Sequence, residues 1–473
     1  MEYEIVIGLE VHVQLATESK IFCSCPTDFE SSPNTNICPI CCGYPGVLPV
    51  LNRKALELAV RVACVLNCRV NKRIYFERKN YFYPDLPKNY QISQYELPLG
   101  EEGFLVLPSS KKIRIKRIHL EEDAGKLIHK EKYSLVDFNR AGIPLLEIVT
   151  HPDISSPEEA FSYLNYLKMT IQYIGVSSCD MEKGFLRCDA NISVKKKGSE
   201  SLGTKVELKN MNSFRGVKNA LSYEAQRQIN CLKNKKNIFQ ETRLWDEIKQ
   251  KTFIMRTKEE AHDYRYFPEP DLGDFIVDDI LIESQKEYIV ELPVAKRERF
   301  IKMYGLSDKE VDILISDLSL ANFFEEANKQ LFQPKSIANW ILGPFLELVN
   351  SLEGGMDKVE LSPYNFSKIV QYFLEGKLNN LAAKKLLALS IRNNKPIDEI
   401  IEEEGLSQVS KEDELIAFVE ESLKENQRAV NDYLGGKQQA VMFIVGQVMK
   451  KTRGKANPKV VRELIERKLK QKE

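Results

Sequence analysis

Apolar and polar residues alternate strictly near the start of the chain. In IGLEVHVQL, Ile7, Leu9, Val11, Val13 and Leu15 fall on one side of an extended strand, and Gly8, Glu10, His12 and Gln14 on the other. Two later segments repeat the pattern. FLRCDANISV sets Leu186, Cys188, Ala190, Ile192 and Val194 against Arg187, Asp189, Asn191 and Ser193, and GTKVELKN sets Val206 and Leu208 against Lys205, Glu207 and Lys209. A period of two predicts half-buried antiparallel strands with one packed and one polar face. Together with runs such as KKIRIKRIHL and only a few helical stretches, the chain up to about residue 290 reads as α+β with a large, mostly antiparallel sheet.

From about residue 293 the period changes. SIANWILGPFLELVNSL and NLAAKKLLALSIRNN space their apolar residues for helices, so the rest is expected to be all-helical. A further boundary is expected near residue 405, where IIEEEGLSQVSKED is polar, carries a glycine stop and restarts with Ser410 as an N-cap. The predicted organisation is a sheet domain over 1–292, a helical connector over 293–405 and a small helical tail over 406–473. A chain of 473 residues exceeds what one hydrophobic core organises, which agrees with several domains.

Charge sharpens the reading of the tail. Lys plus Arg and Asp plus Glu balance at 68 each, so no global field points to a nucleic acid or a membrane. From Lys437 to Glu473, however, eleven Lys or Arg face three Glu, a net of +8. Lys450, Lys451, Arg453, Lys455, Lys459 and Arg462 surround a glycine turn and the next helix start, a candidate phosphate-contacting surface. No window approaches the roughly 20 apolar residues of a membrane span. MEYEIVIGLEVHVQL lacks the features of a leader, and the expectation is a cytoplasmic protein with reduced thiols and no membrane partner.

The polar strand faces carry the candidate chemistry. Glu10, His12, Arg187 and Asp189 would supply ligands for a divalent cation and a fork for phosphate, provided that their strands are neighbours. Oxygen donors suit Mg²⁺; an imidazole is an unusual partner for it, which leaves open a role for His12 in orienting phosphate or a metal-bound water. IHLEEDAGK adds Glu121, Glu122 and Asp123 where a strand meets a turn. Consecutive strand residues face opposite ways, so only one of Glu121 and Glu122 can join a common site, and the pattern does not choose. FERKNYFYPDLPKNYQISQYE reads as a structured functional loop that offers Lys79 and Lys88 to phosphate.

Five of the ten cysteines lie between Cys23 and Cys42. Cys23, Cys25, Cys38 and Cys41 give C-x-C-x12-C-x2-C, the spacing of a closed tetrahedral zinc site with no open position for catalysis, Cys42 being the alternative fourth ligand. Cys64 and Cys68, at helical i, i+4 spacing, are assigned to the core. GSESLGTK imitates a phosphate-binding loop with Thr and Lys in the wrong order, and the chain has neither a G-x-S-x-G elbow nor an amidase-like Gly- and Ser-rich stretch. Amide chemistry would need ammonia from another chain.

Taken together, IGLEVHVQL, NTNICPICCGYPGVLPVLN, RKNYFYPDLPKNYQISQYE, HLEEDAGK, LVDFNRAGIPLLEIV, LRCDANISV, ELKNMNSF, DYRYFPEPDL and GKANPK resemble the B subunit family of the aspartyl/glutamyl-tRNA amidotransferases over essentially the whole chain. The resemblance implies a cradle domain similar in fold to glutamine synthetase, a helical domain and a tail that holds tRNA. It implies a carbon–nitrogen ligase that uses ATP and Mg²⁺ to phosphorylate the side-chain carboxylate of misacylated Glu-tRNA(Gln) or Asp-tRNA(Asn), after which ammonia displaces the phosphate. It further implies glutamine as the amide donor, an amidase-type A subunit that would release the ammonia and a small C subunit that would bridge the two. Carried onto this sequence, the family's metal-binding residues fall on Glu10, His12 and, as the second Glu of EEDAGK, Glu122, with Asp189 completing the set and Glu147 as an additional candidate. Lys79 and Arg187 are the expected contacts to ATP or the acyl phosphate. The competing reading is a non-catalytic, zinc-containing scaffold that presents tRNA.

Overall fold

The computed structural model describes residues 2–257, 264–406, 412–452 and 456–470. The chain divides into two compact units, Met1–Lys296 and Arg297–Glu473.

The first unit is built on a nine-stranded sheet. Its order is Lys251–Thr257, Glu241–Asp246, Val206–Lys209, Leu186–Lys196, Tyr3–Gln14, Pro144–Thr150, Lys112–Glu122, Gly100–Val106 and Arg69–Val70. Every neighbouring pair is antiparallel except Val206–Lys209 with Glu241–Asp246. The strand Tyr3–Gln14 runs through the middle, in register with Leu186–Lys196 from Tyr3 opposite Lys196 to Val13 opposite Leu186. Its apolar set, Ile7, Leu9, Val11 and Val13, is at most 1 % exposed. The two-residue period that marks the strand also decides which face is dry.

Three long helices contribute to that core, Arg53–Val65, Pro157–Tyr173 and Phe214–Lys233, and the short helix Asp279–Lys286 adds Ile282. Each start is written in the sequence. Asn52 accepts from the backbone N–H groups of Lys54 and Ala55, Ser156 from Glu159 ahead of a proline at the first helical position, and Ser213 from Gly216. With helices on one side, the other face of the sheet is left for polar side chains.

In the second unit the described secondary structure is helical throughout. Its apolar residues form two separate cores, one from Phe300 to Ile401 and one from Leu415 to Leu469. A capping box formed by Ser307 and Glu310 starts the helix Asp308–Leu314, and Pro344 sits inside a π-helical turn, Ile341–Phe345. The α+β sheet followed by an all-helical half is the architecture that the residue periods predict. Ser410 lies outside the described residues.

Candidate active site

The polar face of the sheet is assembled by strand register. His12 stands directly opposite Glu147 on one neighbour and Arg187 on the other, and Glu147 in turn stands opposite His119. One step along, Glu10 faces Asp189. Beyond it Gly8 faces Asn191, which faces Glu207. Directly opposed residues share a face, so these side chains form adjoining polar rows across five strands.

At the centre two imidazoles and two carboxylates meet. His12 Nε2 lies 3.5 Å from Glu121 Oε1 and 3.6 Å from Glu147 Oε2. His119 Nε2 lies 2.9 Å from Glu147 Oε2 and 3.7 Å from Glu121 Oε2. One donor atom from each of His12, Glu121 and Glu147 falls within 4.8 Å of the other two, a separation that a single cation can bridge. Two carboxylates and one imidazole suit a divalent cation that keeps water in its remaining positions.

Burial would raise the Glu147 carboxyl, but the His119 and His12 imidazoles outweigh it and hold the group well below the usual carboxylate range. Glu121 is likewise held down against burial by the hydrogen bond from His119 and the charge of His12. Burial alone would lower His119; the charge of Glu147 and the hydrogen bonds to both carboxylates raise it to about 9. Glu10 differs. Its burial, followed by the charges of Glu147, Glu207 and Asp189, raises its carboxyl, although Asn191 Nδ2 donates to it at 2.7 Å.

Cations surround this acidic centre. Arg187 Nη2 donates to Asp123 Oδ1 at 2.9 Å, and Lys209 pairs with Asp189. Lys79 rests its ammonium 5.0 Å from the Tyr264 ring centroid. Burial disfavours the Lys79 charge, but Tyr266, Glu121, Tyr81 and Glu147 more than restore it. A cleft of about 500 Å³ opens beside Gln14, Arg140 and Arg187, and another of about 380 Å³ beside Glu10, Asn191 and Lys205. Carboxylates for a cation, flanking cations for phosphate and adjacent clefts for substrate are the parts that phosphoryl transfer requires.

Of the residues expected here, Glu10, His12, Glu147, Arg187 and Asp189 share the polar face, and the electrostatic neighbours of Lys79 put it beside Glu121 and Glu147. Glu122 is a correction. It follows Glu121 on the same strand and so points the other way, where it accepts from Lys88 Nζ at 2.5 Å and from the Ile92 backbone N–H at 2.8 Å. Lys88 is thereby committed to an ion pair. His119 was not singled out by sequence reasoning, although its spacing of two from Glu121 puts it on the same face.

The Sγ atoms of Cys23, Cys25, Cys38 and Cys41 converge within 4.8 Å of one another, as four ligands of one metal such as zinc would. The Cys38 backbone N–H donates to Cys41 Sγ at 3.2 Å, and the buried Lys20 ammonium lies 3.6 Å from the same sulfur. A hydrogen bond from Cys23, then the Cys38 N–H and Lys20, draw the Cys41 thiol down to about 4 despite its burial. Thiolate character is what a metal ligand needs. Cys64 and Cys68 pack against the main core.

In the tail, Lys450 and Lys459 are exposed. Lys451 reaches Glu425 at 2.7 Å and Glu421 at 3.1 Å, and Arg462 pairs with Glu466 at 2.8 Å. Arg453 and Lys455 lie outside the described residues.

Residues 5–283 match the family described as the GatB/GatE catalytic domain, and residues 322–469 match the GatB domain. The B subunit of the aspartyl/glutamyl-tRNA(Asn/Gln) amidotransferase of Carboxydothermus hydrogenoformans is 48 % identical over 99 % of both chains. Its namesake in Thermoanaerobacter pseudethanolicus is 50 % identical over 99 % of this chain and 100 % of its own, and that in Thermodesulfovibrio yellowstonii 50 % identical over 98 % and 99 %. Matched along nearly its whole length, the chain belongs to the family of aspartyl/glutamyl-tRNA(Asn/Gln) amidotransferase B subunits.

Proposed function

We propose that this chain is the ATP-using subunit of a glutamine-dependent tRNA amidotransferase, and that its sheet unit activates the side-chain carboxylate of Glu-tRNA(Gln), Asp-tRNA(Asn) or both. The observation that carries this reading is the cross-strand row joining Arg187, His12, Glu147 and His119, with Glu121 against both imidazoles. A carboxylate resists attack by an amine because it has no good leaving group. Attack of its oxygen on the γ-phosphorus of ATP forms an acyl phosphate and ADP; ammonia then attacks the acyl carbon, and inorganic phosphate leaves with the former carboxylate oxygen. A Mg²⁺ held by His12, Glu121 and Glu147 would neutralise charge on the transferring phosphoryl group.

The chain's own residues have distinct tasks. Lys79 and Arg187 bind the phosphate oxygens, Arg187 being aimed by Asp123. Asp189, balanced by Lys209, and the largely buried Glu10 shape the acidic floor beyond the cation. Glu10, with its raised carboxyl, is suited to take a proton from the attacking ammonia. The ammonia comes from an amidase-type partner, and a small third chain joins the two. Zinc on the four cysteines is structural, because four thiolates close its shell. Lys450, Lys459 and the rest of the basic tail hold the tRNA, and the three sequence-defined domains, 1–292, 293–405 and 406–473, divide catalysis, connection and tRNA binding.

Reconstituted with its partners, the protein is expected to release ADP in step with amide formation on misacylated tRNA. Loss of more than 100-fold in both rates with Glu147→Gln supports the assignment; rates equal to wild type refute it. A purely tRNA-presenting scaffold would leave the ATP step intact in that variant.

A further inference from the structure

His119 stands behind the carboxylates rather than beside the open face. It is 7 % exposed, and its Nδ1 is buried without a hydrogen-bond partner among the described residues. Among the described residues its ion-pair contacts run through Nε2: 3.7 Å to Glu121 Oε2 and 2.9 Å to Glu147 Oε2. The side chain of His12, 21 % exposed, approaches the same two carboxylates from the accessible side. A position needed only for packing would be filled at lower cost by an apolar side chain, since a buried nitrogen left without a partner forfeits its hydration.

We infer that His119 is a positioning residue for the cation site: its Nε2 holds the Glu147 carboxylate, and with it Glu121, in the orientation a divalent cation needs, while touching neither cation nor substrate. Register supports this. His119 is directly opposite Glu147, which is directly opposite His12, so the carboxylate is pinned between an inner and an outer imidazole. Hydrogen bonds of this kind to ligating carboxylates typically contribute about 10- to 100-fold to metal affinity. The inference rests on the reading of His12, Glu121 and Glu147 as a divalent-cation site.

The sign of the effect separates positioning from simple electrostatics. A positively charged imidazole next to a cation site repels the cation, so if charge were its only influence, removing it would tighten binding. Positioning predicts the reverse. Mn²⁺ serves as the probe, its binding to the reconstituted three-subunit complex followed by electron paramagnetic resonance and by competition with Mg²⁺. His119→Ala is expected to weaken Mn²⁺ binding about 10- to 100-fold, and His119→Gln, whose amide can still donate to Glu147, to recover most of the loss. Unchanged or tighter binding in His119→Ala overturns the inference. Glu147→Gln is the reference: if it binds Mn²⁺ like wild type, the cation-site reading itself fails, whereas loss there with unchanged His119→Ala removes only the positioning role. Should His119→Ala not fold, His119→Gln and the shorter His119→Asn decide the matter, since equal affinities in the two contradict a requirement for reach.

Discussion

Lys88 Nζ lies 2.5 Å from Glu122 Oε2, and the two side chains are 8 % and 5 % exposed. Glu122 also accepts from the Ile92 backbone N–H, so it ties the strand Tyr90–Ser93 and the loop before it to the end of Lys112–Glu122. Removing one member of such a pair strands a buried charge. Glu122→Ala is expected to destabilise the protein by about 3 kcal/mol in chemical denaturation while leaving divalent-cation affinity within a few-fold of wild type. Glu121→Gln should do the opposite, weakening cation binding sharply at smaller cost in stability. A stable Glu122→Ala protein that has lost its cation would reverse the two roles.

The imidazole and carboxylate cluster makes stability depend on pH in the metal-free protein. His119, raised to about 9, stabilises the fold fully below its unfolded value of about 6.5, and that contribution is lost as pH rises through about 9. Glu121 and Glu147, held low, contribute above the unfolded carboxylate value and lose their contribution as pH falls through their native ones. Between about pH 6.5 and 9 wild type should therefore lose on the order of 3 kcal/mol relative to His119→Gln. Parallel stability curves for the two proteins, measured in chelator, would remove the coupling.

A chelator strong enough to strip zinc should lower the unfolding temperature of wild type, and Cys38→Ser should abolish that difference. Lys20→Met tests the ammonium beside Cys41: four thiolates around Zn²⁺ carry net negative charge, and a fully buried cation 3.6 Å from one of them offsets it. Zinc affinity is expected to fall about 10-fold, read by competition with a colorimetric chelator.

In the tail, Lys450→Ala with Lys459→Ala should weaken tRNA binding and reduce its salt dependence, because both side chains are exposed. Lys451→Ala should change it less, since two glutamates already hold that charge. A larger effect from Lys451 would mean that tRNA displaces those glutamates.

Much of this was legible in the residues because strand alternation is a local signal. The polar parity of Glu10, His12, Arg187 and Asp189 could be read directly, as could the thiol spacing at Cys23, Cys25, Cys38 and Cys41. Choosing between Glu121 and Glu122 required register through two neighbouring strands, His119 opposite Glu147 and Glu147 opposite His12, the second a pairing more than a hundred residues apart. The motif resemblance pointed to Glu122; geometry brings Glu121 to His12. His119 shares the parity of Glu121 but looks like an ordinary strand residue until Glu147 is seen opposite it. Lys20 gave no signal at all, because its partner Cys41 is reached only through the folded loop.

The most direct test follows ³²P from γ-labelled ATP in the reconstituted complex with misacylated tRNA and no ammonia source, comparing wild type with His12→Ala, Glu121→Gln and Glu122→Gln. Acyl phosphate and ADP should form with wild type and with the folded fraction of Glu122→Gln, and should fall by more than 100-fold with His12→Ala and Glu121→Gln. Wild-type phosphorylation by Glu121→Gln, or its loss in Glu122→Gln alone, would contradict the assignment of the catalytic face.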